Sequence, residues 1–222
     1  MLSVHGSCWL CQMPLALAHW GICSRCTRAV SPGLSLCPQC GLPATSKTVV
    51  CGRCLRHEPP WQTLVTVNDY VAPLSTLIKR WKFSNKPELT RALARLLLLR
   101  IKEHQQAADL LVAVPLWQRR HWRRGYNQAD LLCQPLSRWL GIRYQPETIR
   151  RIRPTATQHQ LSARLRRQNL KNAFQLEFAV RGLHIALVDD VVTTGTTVAE
   201  LSRLLLQNGA ASVQVWCLCR TL

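Results

Sequence analysis

Eight of the eleven cysteines in this 222-residue chain fall into four Cys-x-x-Cys pairs, all within the first 54 residues. The pairs are Cys8/Cys11, Cys23/Cys26, Cys37/Cys40 and Cys51/Cys54. Two residues between cysteines let a tight turn aim both sulfurs at one ion, and two such pairs supply the tetrahedral thiolate set of a structural Zn²⁺. Successive pairs are separated by 11, 10 and 10 residues, enough for short hairpins. The spacing therefore predicts two Cys₄ zinc sites in a double zinc ribbon over residues 1–58. Sequential pairing closes the shortest loops and is the expectation, although a cross-braced pairing of first with third and second with fourth satisfies the same spacing. Disulfides would need an oxidising compartment. A redox Cys-x-x-Cys is a single pair in a thioredoxin-like strand context, which this segment lacks. A segment of about 55 residues is near the lower limit for a hydrophobic core alone, and bound metal can provide the missing stability.

His57 to Trp61, with Pro59-Pro60, marks the boundary to a second unit over residues 59–222, which alternates strand and helix patterns. Gln62 to Tyr70, Leu110 to Val114, Ile185 to Val188 and Val213 to Leu218 read as strands. Leu110 to Val114 is apolar throughout, which suits a strand buried on both faces of a parallel sheet. Leu74 to Trp81, Leu89 to Ile101, Tyr126 to Leu140 and Val198 to Gln207 read as helices. In the second of these, Leu93, Leu96, Leu97 and Ile101 recur at helical spacing, with Arg91, Arg95 and Lys102 off that face. The fold class is α/β, a parallel sheet flanked by helices. Cys133, Cys217 and Cys219 are expected to be buried.

Chemistry concentrates at residues 185–197. The apolar strand from Ile185 delivers Asp189 and Asp190, then the loop Thr193-Thr194-Gly195-Thr196-Thr197, then a helix. A helix N-terminus attracts an anion through its free N–H groups, and Gly195 lets the backbone approach it closely. Carboxylates at a strand end can accept hydrogen bonds from vicinal sugar hydroxyls or act through a hydrated Mg²⁺. The stretch resembles the phosphoribosyl-pyrophosphate (PRPP) signature of type I phosphoribosyltransferases. That resemblance implies a phosphoribosyltransferase-like fold, PRPP and Mg²⁺ as ligands, and Asp189 and Asp190 as the catalytic acids. No Gly-x-Gly occurs and no Gly-Lys-Ser/Thr closes a glycine-rich loop, so neither a dinucleotide fold nor a P-loop is indicated.

The formal charge is +18. Eight thiolates and two Zn²⁺ lower it to +14, and the same correction brings the ribbon's five basic residues and one acid to neutrality. The positive field therefore belongs to the larger unit. Residues 119–171 carry thirteen Lys/Arg against two acids, a footprint for a polyanion. Arg119, Arg123, Arg124, Arg166 and Arg167 are the candidate nucleic-acid contacts. Single strands are the preferred partner, because Trp117, Trp122 and Tyr126 lie in the first cluster as rings on which bases could stack. Two other readings share the charge. The arginines could serve pyrophosphate alone, with the tryptophans in the core, or the charge could be a solvated basic surface. Arg150 to Lys171 reads as a mobile flap, with Thr157 to Ser162 as its hinge and His159 as a surface residue.

These parts together resemble the ComF family. The resemblance rests on the Cys ribbon and on the strand end Val112-Ala113-Val114-Pro115-Leu116 with Arg124-Gly125-Tyr126-Asn127-Gln128. It also rests on Gln158, Leu161-Ser162 and Arg166-Arg167-Gln168-Asn169-Leu170 of the flap, and on the Asp189-Asp190 signature. It implies PRPP contacts at Pro115, Leu116, Arg120 and Arg124 besides the acids and the threonine loop. It also implies a part in the use of external DNA and in competence, by contact with DNA or with a DNA-processing protein. A working phosphoribosyltransferase of nucleotide salvage and a PRPP sensor without catalysis would use the same constellation. Transfer additionally requires an acceptor pocket, and no segment reads as a nucleobase hood. No apolar run reaches 18 residues, so no membrane insertion is expected. The Leu15-Ala16-Leu17-Ala18 stretch lacks the basic region of a signal peptide, and the cytoplasm is the expected location.

Overall fold

Parallel strands must be joined by crossovers, and the helical patterns between the apolar runs supply them. The computed structural model describes residues 6–33, 35–83, 88–105, 107–116, 126–152 and 173–221. In chain order its strands are β1 (Thr63–Asp69), β2 (Leu110–Ala113), β3 (Arg143–Tyr144), β4 (Ile149–Arg151), β5 (Phe174–Leu176), β6 (His184–Val192) and β7 (Ser212–Arg220). Its helices are α1 (Ser24–Val30), α2 (Gly52–Arg56), α3 (Leu74–Phe83), α4 (Leu89–Glu103), α5 (Gln128–Leu140) and α6 (Thr196–Gln207). Five strands form a parallel sheet in the order β1-β7-β6-β2-β3. The connection from β2 through α5 leads outward to β3, and that from β6 through α6 leads the other way to β7. The crossovers diverge between β2 and β6, which makes their carboxyl ends the topological switch point of the sheet, where ligands of open α/β sheets bind.

Each face of the sheet carries its own core. Ala186, Val188, Trp216 and Leu218 pack with α3, α4 and α5, around Trp81, Leu93, Leu97 and Leu132. Ile185, Leu187, Val213, Val215 and Cys217 pack with Val198, Leu201 and Leu205 of α6. Cys133, Cys217 and Cys219 are buried, as expected. Burial pushes the Cys217 thiol up to about 12, with further contributions from Thr66, which lowers it, and Asp189, which raises it. Such a thiol is inert. Among the described residues no helix is long and apolar enough to cross a membrane.

The structure departs from the sequence reading at some places and adds to it at others. β6 runs on to Val192, because β7 pairs with it as far as Arg220, so Asp189 and Asp190 lie inside the strand and not beyond its end. α5 begins at Gln128, and the Asn127 side chain caps it by accepting from the Ala129 N–H at 3.1 Å. The Asn127 amide also donates to Val114 O, tying the helix start to the strand end. α4 buries Arg100 among its apolar residues, where the guanidinium donates to Thr66 O at 3.2 Å and pairs with Glu103. Finally, β4 and β5 form an antiparallel pair that the pattern did not reveal, with Arg150 opposite Gln175. This pair flanks the stretch read as a flap, of which residues 153–171 lie outside the described residues.

The two halves of the ribbon are built into the molecule differently. Cys8, Leu15, Ile22 and Val30 belong to the same apolar cluster as α3 and α4. Cys37, Cys40, Leu42 and Cys54 form a small cluster of their own, beside β1. Gly41 makes that contact possible. Its φ is +69°, and a Cβ there would lie 2.5 Å from Leu64 Cδ2. Gly41→Ala is therefore expected to destabilise the protein by about 1–3 kcal/mol. Gly33→Ala shares the left-handed backbone, at φ +70°, but meets nothing within 4 Å. A larger drop in melting temperature for Gly41→Ala than for Gly33→Ala, measured by thermal denaturation, checks that β1 crowds this turn.

Candidate functional site

Asp189 and Asp190 sit where the ladder on one side of β6 stops. β2 pairs with β6 only as far as Ala113 opposite Val188, and Val114 N–H then donates to Val188 O at 2.9 Å. Beyond that point β6 has β7 on one side and an open notch on the other. Side chains alternate across a strand. Asp189 follows Leu187 toward the α6 side, and Asp190 follows Val188 toward α3. Pro115 and Leu116, both partly buried, continue from β2 along the edge of the notch.

The two acids are not equivalent. The Asp190 backbone N–H donates to Asp189 Oδ1 at 2.8 Å. Burial, with the neighbouring Asp190 charge, raises the Asp189 carboxyl from its ordinary range to about 8, and Lys82 opposes the shift. Asp190 is paired with Lys82, Nζ to Oδ2 at 2.6 Å, and both side chains are largely removed from water. Lys82 was missed in the sequence, where the helix pattern stops at Trp81. The structure extends α3 by two residues to Phe83, and this brings the ammonium onto the acid. No local signal marks such a residue, because the contact spans more than a hundred positions of chain.

The loop after β6 reaches the N-terminus of α6. Gly195 is the cap residue, at φ +77°, and no acidic side chain occupies the first helical turn. Thr193 and Thr194 are exposed, and Thr196 and Thr197 are partly exposed. Thr194 Oγ1 lies 2.8 Å from Thr196 Oγ1 and accepts from the Thr196 N–H at 3.4 Å, so the loop is held by its own hydroxyls. Free N–H groups, hydroxyl donors and the helix dipole make this end a place for an anion. Beside it a cleft of about 590 Å³ opens between the second half of the ribbon and the loop, with Arg53, His57, Arg203 and Arg220 on its walls. Among the other sequence candidates, Arg119, Arg120, Arg123, Arg124, Arg166 and Arg167 lie outside the described residues, as do His159, Trp117 and Trp122. Tyr126 is described and partly buried, and its hydroxyl donates to Trp81 O at 3.2 Å, which ties the approach to α5 onto α3.

The eight paired cysteines come together as two groups, Cys8/Cys11/Cys23/Cys26 and Cys37/Cys40/Cys51/Cys54, each with its sulfurs within 4.8 Å of one another. The pairing is sequential, not cross-braced. Zinc bound at about 2.3 Å by four tetrahedral sulfurs sets them about 3.8 Å apart. The Cys11–Cys23 and Cys40–Cys51 sulfurs lie 3.8 and 3.7 Å apart, far beyond disulfide distance. Backbone N–H groups point at the sulfurs as well, from Cys23 to Cys8 at 3.4 Å and from Cys51 to Cys37 at 3.3 Å. Burial raises the Cys8 thiol, but the N–H groups of Cys11, Cys23 and Leu10 outweigh it and bring the thiol down to about 6. Burial and hydrogen bonds from neighbouring thiols push Cys26 and Cys54 up. Each group therefore has some thiols that resist ionising until a cation compensates the charge, which is the chemistry of a metal set.

A parallel sheet with paired acids at its switch point and a threonine loop at a helix N-terminus defines a phosphoribosyltransferase-type domain, here joined to two Cys₄ groups that could hold zinc ions. The phosphoribosyl transferase domain family matches residues 132–222. The chain is 63% identical over its whole length to the whole of DNA utilization protein YhgH of Salmonella typhimurium. It is 64% identical, again with both chains fully covered, to DNA utilization protein YhgH of Escherichia coli K12. Competence protein F of Haemophilus influenzae is 44% identical over 96% of each chain. The chain belongs to the ComF family, with a phosphoribosyltransferase domain of type I fold.

Two outcomes follow. Protein purified under reducing conditions is expected to carry two zinc ions per chain by elemental analysis, and Cys8→Ser one. The second concerns Asp189. Its carboxyl is raised in the folded state, so the stability it contributes is present below about pH 4 and is lost as pH climbs toward about 8. Asp189→Asn removes that titration. The variant is expected to gain melting temperature over wild type at pH 8, with the gain shrinking toward pH 4.

Proposed function

We propose that the notch at Asp189 and Asp190 and the loop from Thr193 to Thr197 bind PRPP with Mg²⁺, and that this binding serves the use of external DNA. One observation carries the first part. The two acids stand in the open edge of β6, and the same strand feeds directly into a helix N-terminus free of acidic side chains. A sugar phosphate fits that order. Its 5-phosphate takes the N–H groups and hydroxyls of the loop, and its ribose hydroxyls face Asp189 and Asp190. The pyrophosphate then lies toward Pro115 and Leu116, with Arg120 and Arg124 as its clamp. The part concerned with DNA is supported by the relatives named for DNA utilization and for competence. The basic stretch from Arg119 to Lys171, including Arg119, Arg123, Arg124, Arg166 and Arg167, is the candidate contact with single-stranded DNA.

Mg²⁺ held near the acids would neutralise charge on the pyrophosphate and the carboxylates together. Asp190 is held by Lys82, whereas the Asp189 carboxyl, raised by burial and by its neighbour, must shed its proton to meet a cation. In any transfer the bond from C1 of the ribose to the pyrophosphate oxygen breaks, and the electron pair leaves with the pyrophosphate. Preorganised charge at the leaving group and at the cationic sugar carbon is what such a step needs most.

Calorimetric titration with PRPP and Mg²⁺ tests the site. Affinity is expected to rise with pH toward about 8, because Asp189 releases its proton on binding. Asp190→Asn is expected to lose about 1–3 kcal/mol of binding free energy, as when a charged hydrogen-bond partner is removed. Unchanged affinity in both Asp189→Asn and Asp190→Asn would refute the assignment. Pyrophosphate release in the presence of candidate acceptors separates an active transferase from a PRPP-binding protein. For DNA, binding to single strands should weaken with a log–log salt slope of roughly −0.7 per phosphate contact. Replacing Arg123 and Arg124 should flatten that slope by about one to two contacts. If no DNA binds at about 50 mM salt, the basic stretch serves another anion.

A further inference from the structure

Three consecutive carbonyls on the turn between Cys37 and Cys40 are taken by donors from the sheet domain. Pro38 O accepts from Thr63 Oγ1 at 2.7 Å and from the Leu64 N–H at 3.0 Å. Gln39 O accepts from Trp61 Nε1 at 2.7 Å. Cys40 O accepts from Arg220 Nε at 3.1 Å. The arrangement follows from what a metal-binding turn must do. N–H groups around the second cluster point inward at sulfur, as Leu42 does to Cys40 and Cys51 to Cys37. The carbonyls of the turn are left facing outward, where buried acceptors need donors.

Two of those donors also touch the phosphate loop. A Cβ on Gly195 would lie 3.3 Å from Trp61 Cη2 and 4.0 Å from Arg220 Nη2, so both side chains stand against the loop at its glycine. Arg220 Nη1 donates to Val192 O at 3.2 Å, the carbonyl immediately before Thr193, and also to Thr221 O. Trp61 and Arg220 are 7% and 3% exposed, so neither contact is softened by water. Among the described residues no carboxylate forms an ion pair with Arg220. A buried guanidinium needs a compensating charge. Four thiolates around one Zn²⁺ carry a net charge of about −2, and Arg220 Nε reaches the Cys40 carbonyl of that group at 3.1 Å. Among the described residues the first Cys₄ group has no such link. Its neighbours reach α3 and α4, through Arg80 to Trp9 O and Arg95 to Ile22 O.

We propose that the second Cys₄ metal site is a structural part of the phosphate site. A metal-fixed turn holds Trp61 and Arg220, and these positioning residues hold the loop from Thr193 to Thr197 in its anion-binding shape. The inference rests on the reading of that loop as a phosphate site. It assigns different tasks to the two halves of the ribbon, the first completing the core against α4 and the second shaping the ligand loop. Loss of metal from the second site by chelation then releases ligand from a pocket whose own residues are unchanged.

Ribose 5-phosphate is the probe, because it needs the loop but carries no pyrophosphate. It is titrated calorimetrically into the zinc-loaded full chain and three variants. Trp61→Phe keeps a ring beside Gly195 but loses the donor to Gln39 O. It is expected to retain two zinc ions and a cooperative thermal transition, with a melting temperature a few degrees below wild type, while losing about 3–10-fold in affinity, the equivalent of one hydrogen bond. Cys54→Ser and Cys11→Ser are each expected to lose one zinc, with Cys54→Ser losing at least about tenfold more affinity than Cys11→Ser. Wild-type affinity in both Trp61→Phe and Cys54→Ser overturns the inference, and so do equal losses in the two cysteine variants. If the unmodified protein does not bind ribose 5-phosphate, the phosphate assignment of the loop fails first, and this inference falls with it.

Discussion

β6 outruns β2 by four residues while β7 stays beside it, and the open notch at Asp189 and Asp190 is built on that mismatch. The continued pairing with β7 keeps the strand straight through Asp189 and Asp190, so their carboxylates are placed by a ladder of hydrogen bonds and not by a loose turn. The missing partner on the β2 side leaves the notch that a ligand can enter. Had β2 been longer, the acids would lie under a strand. Had β7 been shorter, they would sit on a flexible loop. The divergence of the crossovers at this pair of strands widens the opening, which is why α/β sheets place ligands at such points.

Placing two acids side by side at the rim of a buried sheet has an electrostatic cost, and the molecule meets it unevenly. Lys82 neutralises Asp190 directly, and Asp189, deprived of water and next to a like charge, tends to keep its proton. The site is therefore set to receive positive charge. A cation arriving with a ligand would relieve the repulsion that the fold imposes, and binding would then be linked to deprotonation. The α6 N-terminus completes the complementarity a few residues further on by offering donors for a phosphate.

The ribbon is not an appendage. Half of it shares the apolar core of α3 and α4, and the other half hands its turn carbonyls to Thr63, Trp61 and Arg220. Small metal-stabilised modules gain their shape from coordination, not from a core of their own. Their rigid turns can then serve as fixed acceptors for a neighbouring domain.

The local patterns determined a good deal. Cys-x-x-Cys spacing is a short-range geometric requirement, so two four-sulfur groups were legible, while the choice of sequential over cross-braced pairing was settled by the fold. The apolar runs at 110–114, 185–188 and 213–218 announced buried parallel strands, and the acids, the threonine loop and the following helix were readable as one unit because they are contiguous. β4 and β5 are three residues each, too short for any periodicity to register. Lys82, Trp61 and Arg220 look like a helix-end cation, a linker aromatic and the end of an apolar strand, and each acquires its task only across a tertiary contact. Arg220 reaches Cys40 over 180 positions of chain. Sequence determines what is set by neighbouring backbone geometry and by which side chains must avoid water. The tertiary structure alone decided which charge neutralises Asp190 and which carbonyls receive Trp61 and Arg220, because those partners meet only when the sheet brings distant segments to hydrogen-bond distance.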